Sequence, residues 1–225
     1  MTPSRPASSP APSAGYRPKN KQGQSNLTPY SQFNNLTFDP PYVMFSSNQT
    51  AHGIRKDTVI NAEETGTFVW NLATWNLREA VNISAEQTPY GTDEFELCGL
   101  AKEQATLMDV PTVKESPVKF ECEYHTTVRL PGNPPMGTVD IVIGKVIGVH
   151  IADGVLTDGL LDVRKTEPIA RCGYYQYTVV RDTFEMVIPN MSQDVLYGLE
   201  GNAAKNRRKN EENKKTEGSE LVEDK

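Results

Sequence analysis

Three cysteines in 225 residues, Cys98, Cys122 and Cys172, are too few and too widely spaced for a disulfide framework or a cysteine-ligated zinc site, and they are odd in number. They are expected to be reduced core residues. Histidine is equally scarce, and His52 and His125 have no companions at metal-ligand spacing, so no metal is expected. No apolar run approaches the ~20 residues that span a bilayer, and the first residues lack the charged-then-apolar plan of a signal peptide. No membrane association is expected, and the chain is placed in the cytoplasm. The Gly-x-Gly-x-x-Gly fingerprint, the phosphate-binding P-loop and the Gly-x-Ser-x-Gly elbow are all missing, which disfavours a Rossmann dehydrogenase, a P-loop hydrolase and an α/β-hydrolase.

Large apolar side chains are almost absent from residues 1–15, which are rich in Pro, Ser and Ala and cannot bury enough surface to offset chain entropy. The expected organisation is a disordered segment over 1–24, one folded domain over 25–201 and a charged disordered tail over 202–225. The tail holds the basic cluster Lys205, Arg207, Arg208 and Lys209, but acidic residues follow at once and the net charge is −6. It reads as a solvated tail, and no nucleic-acid partner is expected.

Between the tails the pattern is that of strands. Tyr42-Val43-Met44-Phe45-Ser46 has the apolar density of a barrel strand, and Pro40-Pro41 suits its start. Phe68 to Leu72 reads as another strand. Val118 to Val128 alternates, with Val118, Phe120, Cys122 and Tyr124 on one face and Lys119, Glu121, Glu123 and His125 on the other. Thr138 to Ile151 is a long β-branched run bent by Gly144 and Gly148, and Tyr174 to Val180 looks like a closing strand. Helices are expected after Lys56, ending at Gly66, from about Thr74 with Trp75, Leu77 and Val81 buried, and as one turn over Asp93 to Cys98. The sum is a mainly β, antiparallel barrel with two or three short helices. Trp70 and Trp75 are read as core residues, with stacking on a ring ligand as the alternative.

Asn26-Leu27-Thr28-Pro29-Tyr30-Ser31-Gln32-Phe33 alternates small hydroxyl residues with apolar ones, as a strand does when one face lines a polar pocket. In Lys56-Asp57-Thr58, Asp57 or Thr58 is the expected N-cap of a helix whose free N–H groups and partial positive charge suit an anion, with Lys56 adding a full charge. Taken alone this segment reads first as an ordinary capped surface helix with a solvated lysine.

In this order the motifs resemble the flavin reductase-like family of FMN-binding split-barrel proteins. Asn26, Leu27, Pro29, Tyr30, Ser31, Phe33 and Asn34 match its first run, with Thr28 for the usual alanine. Pro40, Pro41, Phe45 and Ser46 match the second, and Lys56, Asp57, Thr58 and Asn61 the third. The landmarks Gly148-Val149-His150-Ile151 and Pro168-Ile169-Ala170-Arg171-Cys172-Gly173 fall further along, so the resemblance spans roughly Asn26 to Val180. It implies an antiparallel split β-barrel of Greek-key type that binds FMN and passes hydride from NAD(P)H to flavin. By the same resemblance Thr28, Pro29, Tyr30 and Ser31 run along the isoalloxazine edge. Ser46, Ser47 and Asn48 meet the ribityl chain and phosphate, and Lys56, Asp57 and Thr58 complete the phosphate site. His150 approaches the nicotinamide or flavin ring, or is simply packed. Arg171 binds a pyridine-nucleotide phosphate, or serves an ion pair or a dimer contact. A homodimer and a partner monooxygenase are implied as partners. The alternative is a non-catalytic FMN-binding or interaction protein.

The resemblance also implies an apolar strand before the basic turn that leads into Asn26. Here Tyr16-Arg17-Pro18 passes directly into Lys19-Asn20-Lys21-Gln22-Gly23-Gln24, so that strand is missing. A splice variant or a misjoined gene model is expected, with an unpaired edge and a gap in the core, and such an isoform could be inactive.

Overall fold

The computed structural model describes residues 11–16, 25–49, 54–89, 92–135 and 137–184. Their elements are β1 (Ala11–Tyr16), β2 (Ser25–Tyr30), β3 (Phe33–Phe38), β4 (Pro41–Asn48), α1 (Asp57–Thr65) and β5 (Thr67–Asn71). A 3₁₀ turn at Trp75–Leu77 runs into α2 (Arg78–Ile83), followed by α3 (Glu94–Cys98), β6 (Lys102–Gln104), β7 (Pro111–Val113), β8 (Val118–Leu130) and β9 (Val139–Ile151). Then come β10 (Leu156–Thr157), β11 (Leu160–Leu161), α4 (Val163–Thr166), β12 (Ile169–Gly173) and β13 (Gln176–Val179).

The expected antiparallel, mainly β architecture is present. One seven-stranded sheet runs in the order β2-β1-β5-β8-β9-β4-β3, and all its pairings are antiparallel. Its ends meet where β2 passes into β3: Ser46 N donates to Gln32 O at 2.8 Å, and Tyr30 Oη lies 3.3 Å from Ser47 Oγ. The sheet thereby curls around a core that includes Tyr30, Phe45, Val59, Phe68, Cys122 and Val142. Phe45 stacks edge-on against Phe68 at 5.4 Å, and both are fully buried, each contributing about 2–3 kcal/mol.

The bends expected of the long strand are there. The β8–β9 register shifts between Glu121 and Cys122, beside Gly148, and again between Tyr124 and Thr126, opposite Gly144. Gly144 is required by close approach, since a Cβ there would lie 2.4 Å from Phe68 Cε1. Gly66 ends α1 in the left-handed conformation at φ 73°, its N–H returning to Ala62 O.

Several expectations are corrected. Ala11–Tyr16, inside the segment expected to be disordered, forms β1 between β2 and β5, so the sheet shows no gap there; residues 1–10 and 17–24 lie outside those described. The pairing is uneven, covering six residues with β2 but only Ser13↔Trp70 and Ala14↔Val69 with β5. The expected closing strand is instead half of a separate hairpin, β12–β13, with Tyr174 and Tyr175 in its turn. Trp75 is partly exposed, whereas Leu77 and Val81 are buried as expected. Cys172 is exposed, and of the three thiols Cys122 alone is buried.

The polar face of β8 is covered too, which its alternation concealed. Lys119 pairs with Glu103, and Glu121 accepts from Thr106 N and Leu107 N, each at 2.8 Å. The segment carrying β6 and β7 thus lies over charged residues that alternation alone assigns to solvent. The expected tail over 202–225 is outside the described residues.

Candidate functional site

A cavity of about 180 Å³ opens where β2 ends, α1 begins and the β12–β13 hairpin passes. Thr28, Pro29, Tyr30 and Ser31 form one side, and Lys56 lines it too. Ala73, Val81 and Ala85 supply apolar surface, and Ile169, Arg171 and Tyr177 close the remaining side.

The β2 side is held by a buried polar cluster. Glu94, at the start of α3, accepts from Leu27 N at 3.0 Å, Thr88 Oγ1 at 3.1 Å and Asn26 Nδ2 at 3.4 Å. Thr58 Oγ1 donates to Asn26 Oδ1 at 2.6 Å, which ties α1 to the same strand. Burial raises the Glu94 carboxyl above the usual range, and these donors only partly offset it. Tyr30 is buried, and desolvation pushes its phenol up to about 12, so at neutral pH it is an uncharged hydrogen-bonding group.

The two cations before α1 differ. Arg55 is consumed by the fold: its Nε meets Asp140 Oδ2 at 3.1 Å and its Nη2 meets Glu63 Oε1 at 2.6 Å, while Arg129 Nε takes the other Asp140 oxygen at 2.7 Å. Lys56 is partly buried and has no hydrogen-bond or ion-pair partner among the described residues; desolvation alone lowers its pKa. Lys56 is also the N-cap of α1, correcting the expectation of Asp57 or Thr58, and its side chain makes no cap hydrogen bond. A partly desolvated ammonium at a helix start fits a phosphate.

Of the residues singled out in the sequence, Thr28, Pro29, Tyr30, Ser31, Lys56 and Arg171 come together on this cavity. Others do not line it. Ser47 is buried against Tyr30, Thr58 is buried against Asn26, and Asp57 opens α1 next to Lys56. Ser46 and Asn48 alternate with Ser47 and stand on the other face of β4.

His150 is not at the cavity in this chain. It lies on β9 opposite Lys119, with Nε2 2.5 Å from Glu121 Oε1, because the β8–β9 register carries it to the face covered by residues 102–113. Trp70 packs between Phe33 and Phe120 at 5.0 and 4.5 Å, so it is a core residue as expected. Tyr177 was not singled out as a site residue. Its only signal is the register that pairs it with Arg171, which becomes visible once the hairpin exists.

Among the described residues no group of His, Cys, Asp and Glu is arranged to hold a metal ion, and no helix is long and apolar enough to cross a membrane.

Residues 17–169 match the family described as flavin reductase like domain. An uncharacterized protein of Halalkalibacterium halodurans is 31% identical over 82% of this chain and 88% of its own length. Nitrilotriacetate monooxygenase component B from Bacillus cereus superposes with a TM-score of 0.72 at 30% identity, covering 80% of this chain and 87% of that one. Flavoredoxin of Desulfovibrio vulgaris gives 0.71 at 16% identity, over 84% and 96%. A split-barrel protein from Shewanella frigidimarina gives 0.69 at 23%, over 81% and 87%. The last two speak for the fold alone, an antiparallel split barrel.

Proposed function

The chain belongs to the flavin reductase-like family, and from that premise we propose that it is an FMN-dependent oxidoreductase that draws electrons from NAD(P)H. The observation that carries this reading is Lys56, a partly desolvated ammonium without a partner among the described residues, at the start of α1 and opening onto a cavity. Lys56 and the backbone N–H groups of the first turn of α1, at Asp57 and Thr58, would hold the FMN phosphate. Thr28 to Ser31 would hold the isoalloxazine edge, on a strand fixed from behind by Glu94 and by the Tyr30–Ser47 contact. Bound FMN would supply the two-electron chemistry. The chain's own work is to hold the ring, to supply hydrogen bonds to its polar edge, and to exclude water with Ala73, Val81, Ala85 and Ile169.

The likeness to component B of a monooxygenase supports a role in delivering reduced flavin to a partner monooxygenase. A homodimer is part of the reading, with a second copy covering the apolar groove between β3 and β8–β9.

The test is an FMN titration of the purified full chain followed by NADH and NADPH oxidation with free FMN as acceptor. Stoichiometric FMN uptake with NAD(P)H consumption is expected. Uptake without consumption would leave a non-catalytic FMN-binding protein, and no uptake at all would overturn the reading.

A further inference from the structure

Beyond Ile169 at its base, the β12–β13 hairpin is the side of the cavity to which FMN binding assigns no task. Its register opposes Arg171 to Tyr177, and directly opposed residues in an antiparallel pair share a face. Both line the cavity. The base of the hairpin is fixed: Thr74 bridges to Pro168, Ile169 N donates to Ala73 O at 3.1 Å, and Trp75 N donates to Glu167 O at 2.9 Å. Arg181 pairs with Glu167 at 2.8 Å and lies 5.1 Å from the Trp75 ring. A wall anchored this way can hold a substrate in one orientation.

The chemistry of that wall is specific. The Arg171 guanidinium donates only to the Tyr174 carbonyl, from Nη2 at 2.8 Å and Nε at 3.3 Å, and no carboxylate meets it among the described residues. Its charge is uncompensated. Beside it the Tyr177 ring is half exposed, offering an aromatic face without a ring partner among the described residues. A phenol face next to an uncompensated guanidinium recognises a planar ring that carries an anionic group, the ring stacking and the anion taking the guanidinium N–H groups.

We propose that the Arg171–Tyr177 cross-strand pair is the docking wall for the second substrate, a planar, negatively charged ring molecule held against FMN. The inference rests on the FMN reading above. Such a molecule is either the electron donor, a nicotinamide nucleotide, or a ring acceptor bearing an acid group, and the two are separable by experiment.

The test uses the FMN-loaded full chain and its Arg171→Gln, Tyr177→Ala and Tyr177→Phe variants. Donor probes are reduced nicotinamide mononucleotide and reduced nicotinamide riboside, which share ring and ribose and differ in the phosphate. Acceptor probes, mixed with dithionite-reduced enzyme, are 1,2-naphthoquinone-4-sulfonate and 1,2-naphthoquinone. FMN affinity should stay within about twofold in all variants, which also shows that they fold. Arg171→Gln should raise KM about tenfold for the charged member of one pair and leave the neutral member unchanged. The pair affected tells whether the wall takes the donor or the acceptor. Tyr177→Ala should raise KM for both members of that pair, with Tyr177→Phe restoring it. FMN-loaded, active variants whose KM for all four probes stays within twofold would overturn the inference alone. A wild-type chain that takes up no FMN would overturn the parent reading and this inference together.

Discussion

At the scale of single residues, the same two facts, burial and partnership, sort site from scaffold. Arg55 and Lys56 are adjacent cations, yet only Lys56 lacks a partner among the described residues, so it is the one whose charge is available. Lys56→Ala should weaken FMN binding by about 1.5–3 kcal/mol, roughly tenfold to a hundredfold, in a fluorescence titration. Because desolvation lowers the Lys56 pKa, the charge is lost at a lower pH than for an ordinary lysine. Wild-type affinity should therefore decline with alkaline pH while the alanine variant stays flat; equal affinities at neutral pH would remove Lys56 from the site. Gly144 makes the opposite case, a residue fixed by packing alone. A Cβ there would meet Phe68 Cε1 at 2.4 Å and Cζ at 2.5 Å, and Phe68 is fully buried, so Gly144→Ala should cost about 1–3 kcal/mol in urea unfolding. Gly154→Ala, with nothing within 4 Å of the added carbon, is the control. The residue types of the site were legible in sequence because they recur in motifs. What they bond to was not: Ser47 and Thr58, read as ligands, spend their hydroxyls on Tyr30 and Asn26, since both side chains face inward from elements that meet only in the fold.

At the scale of elements, α3 shows how a helix of one and a half turns can position a strand. Asp93 caps it by accepting from Phe95 N at 3.1 Å, and its first residue, Glu94, is buried against β2. Folding raises the Glu94 pKa, chiefly through desolvation, so the folded state binds that proton more tightly than the unfolded chain does. The resulting stability is present below the ordinary glutamate range and is lost as pH rises through it to the raised folded value. Glu94→Gln cannot titrate and keeps an acceptor for Leu27 N. Wild-type stability relative to Glu94→Gln should fall across that window when urea midpoints are compared from pH 4 to 8, and parallel profiles would contradict the raised pKa.

The element least legible in sequence is β1. Apart from Tyr16, Ala-Pro-Ser-Ala-Gly-Tyr has residues poorly suited to a sheet interior, yet it holds an inner position. Around it, Asn61 Oδ1 on α1 and Trp70 Nε1 and Asn71 Nδ2 on β5 are buried without hydrogen-bond partners among the described residues. Both elements pack against β1. Each such atom costs about 1–3 kcal/mol, and Ala, Pro, Ser and Gly carry little apolar surface to offset that cost. A chain given an apolar strand between Pro18 and Lys19 should unfold at higher urea than the present one and bind FMN at least as tightly. Sequencing of the transcript across Pro18 and Lys19 decides whether such a strand is encoded, and a message joining them directly together with no gain from the insertion would dispose of the idea.

At the scale of the whole molecule, the sheet has an edge to protect. β3 is the last strand in the order, and apart from Phe33 its residues are exposed. Its Leu36 and Phe38 are 44% and 65% exposed, and with Val149, at 55%, they line one groove that reaches Phe120 and Val146. An open antiparallel edge beside an apolar groove is a surface that soluble chains cover, and a second copy does so symmetrically. The full chain should sediment as a dimer, and Phe38→Glu combined with Val149→Glu should shift it to monomer while leaving the far-UV spectrum unchanged. The same pair separates two contributions to FMN binding. If the monomeric variant retains wild-type FMN affinity, the cavity built by β2, α1 and the β12–β13 hairpin is sufficient within one chain. If affinity falls with dissociation, and is restored in proportion to dimer at higher protein concentration, the second copy completes the site. Persistence of the dimer in the double variant would place the interface elsewhere on the barrel.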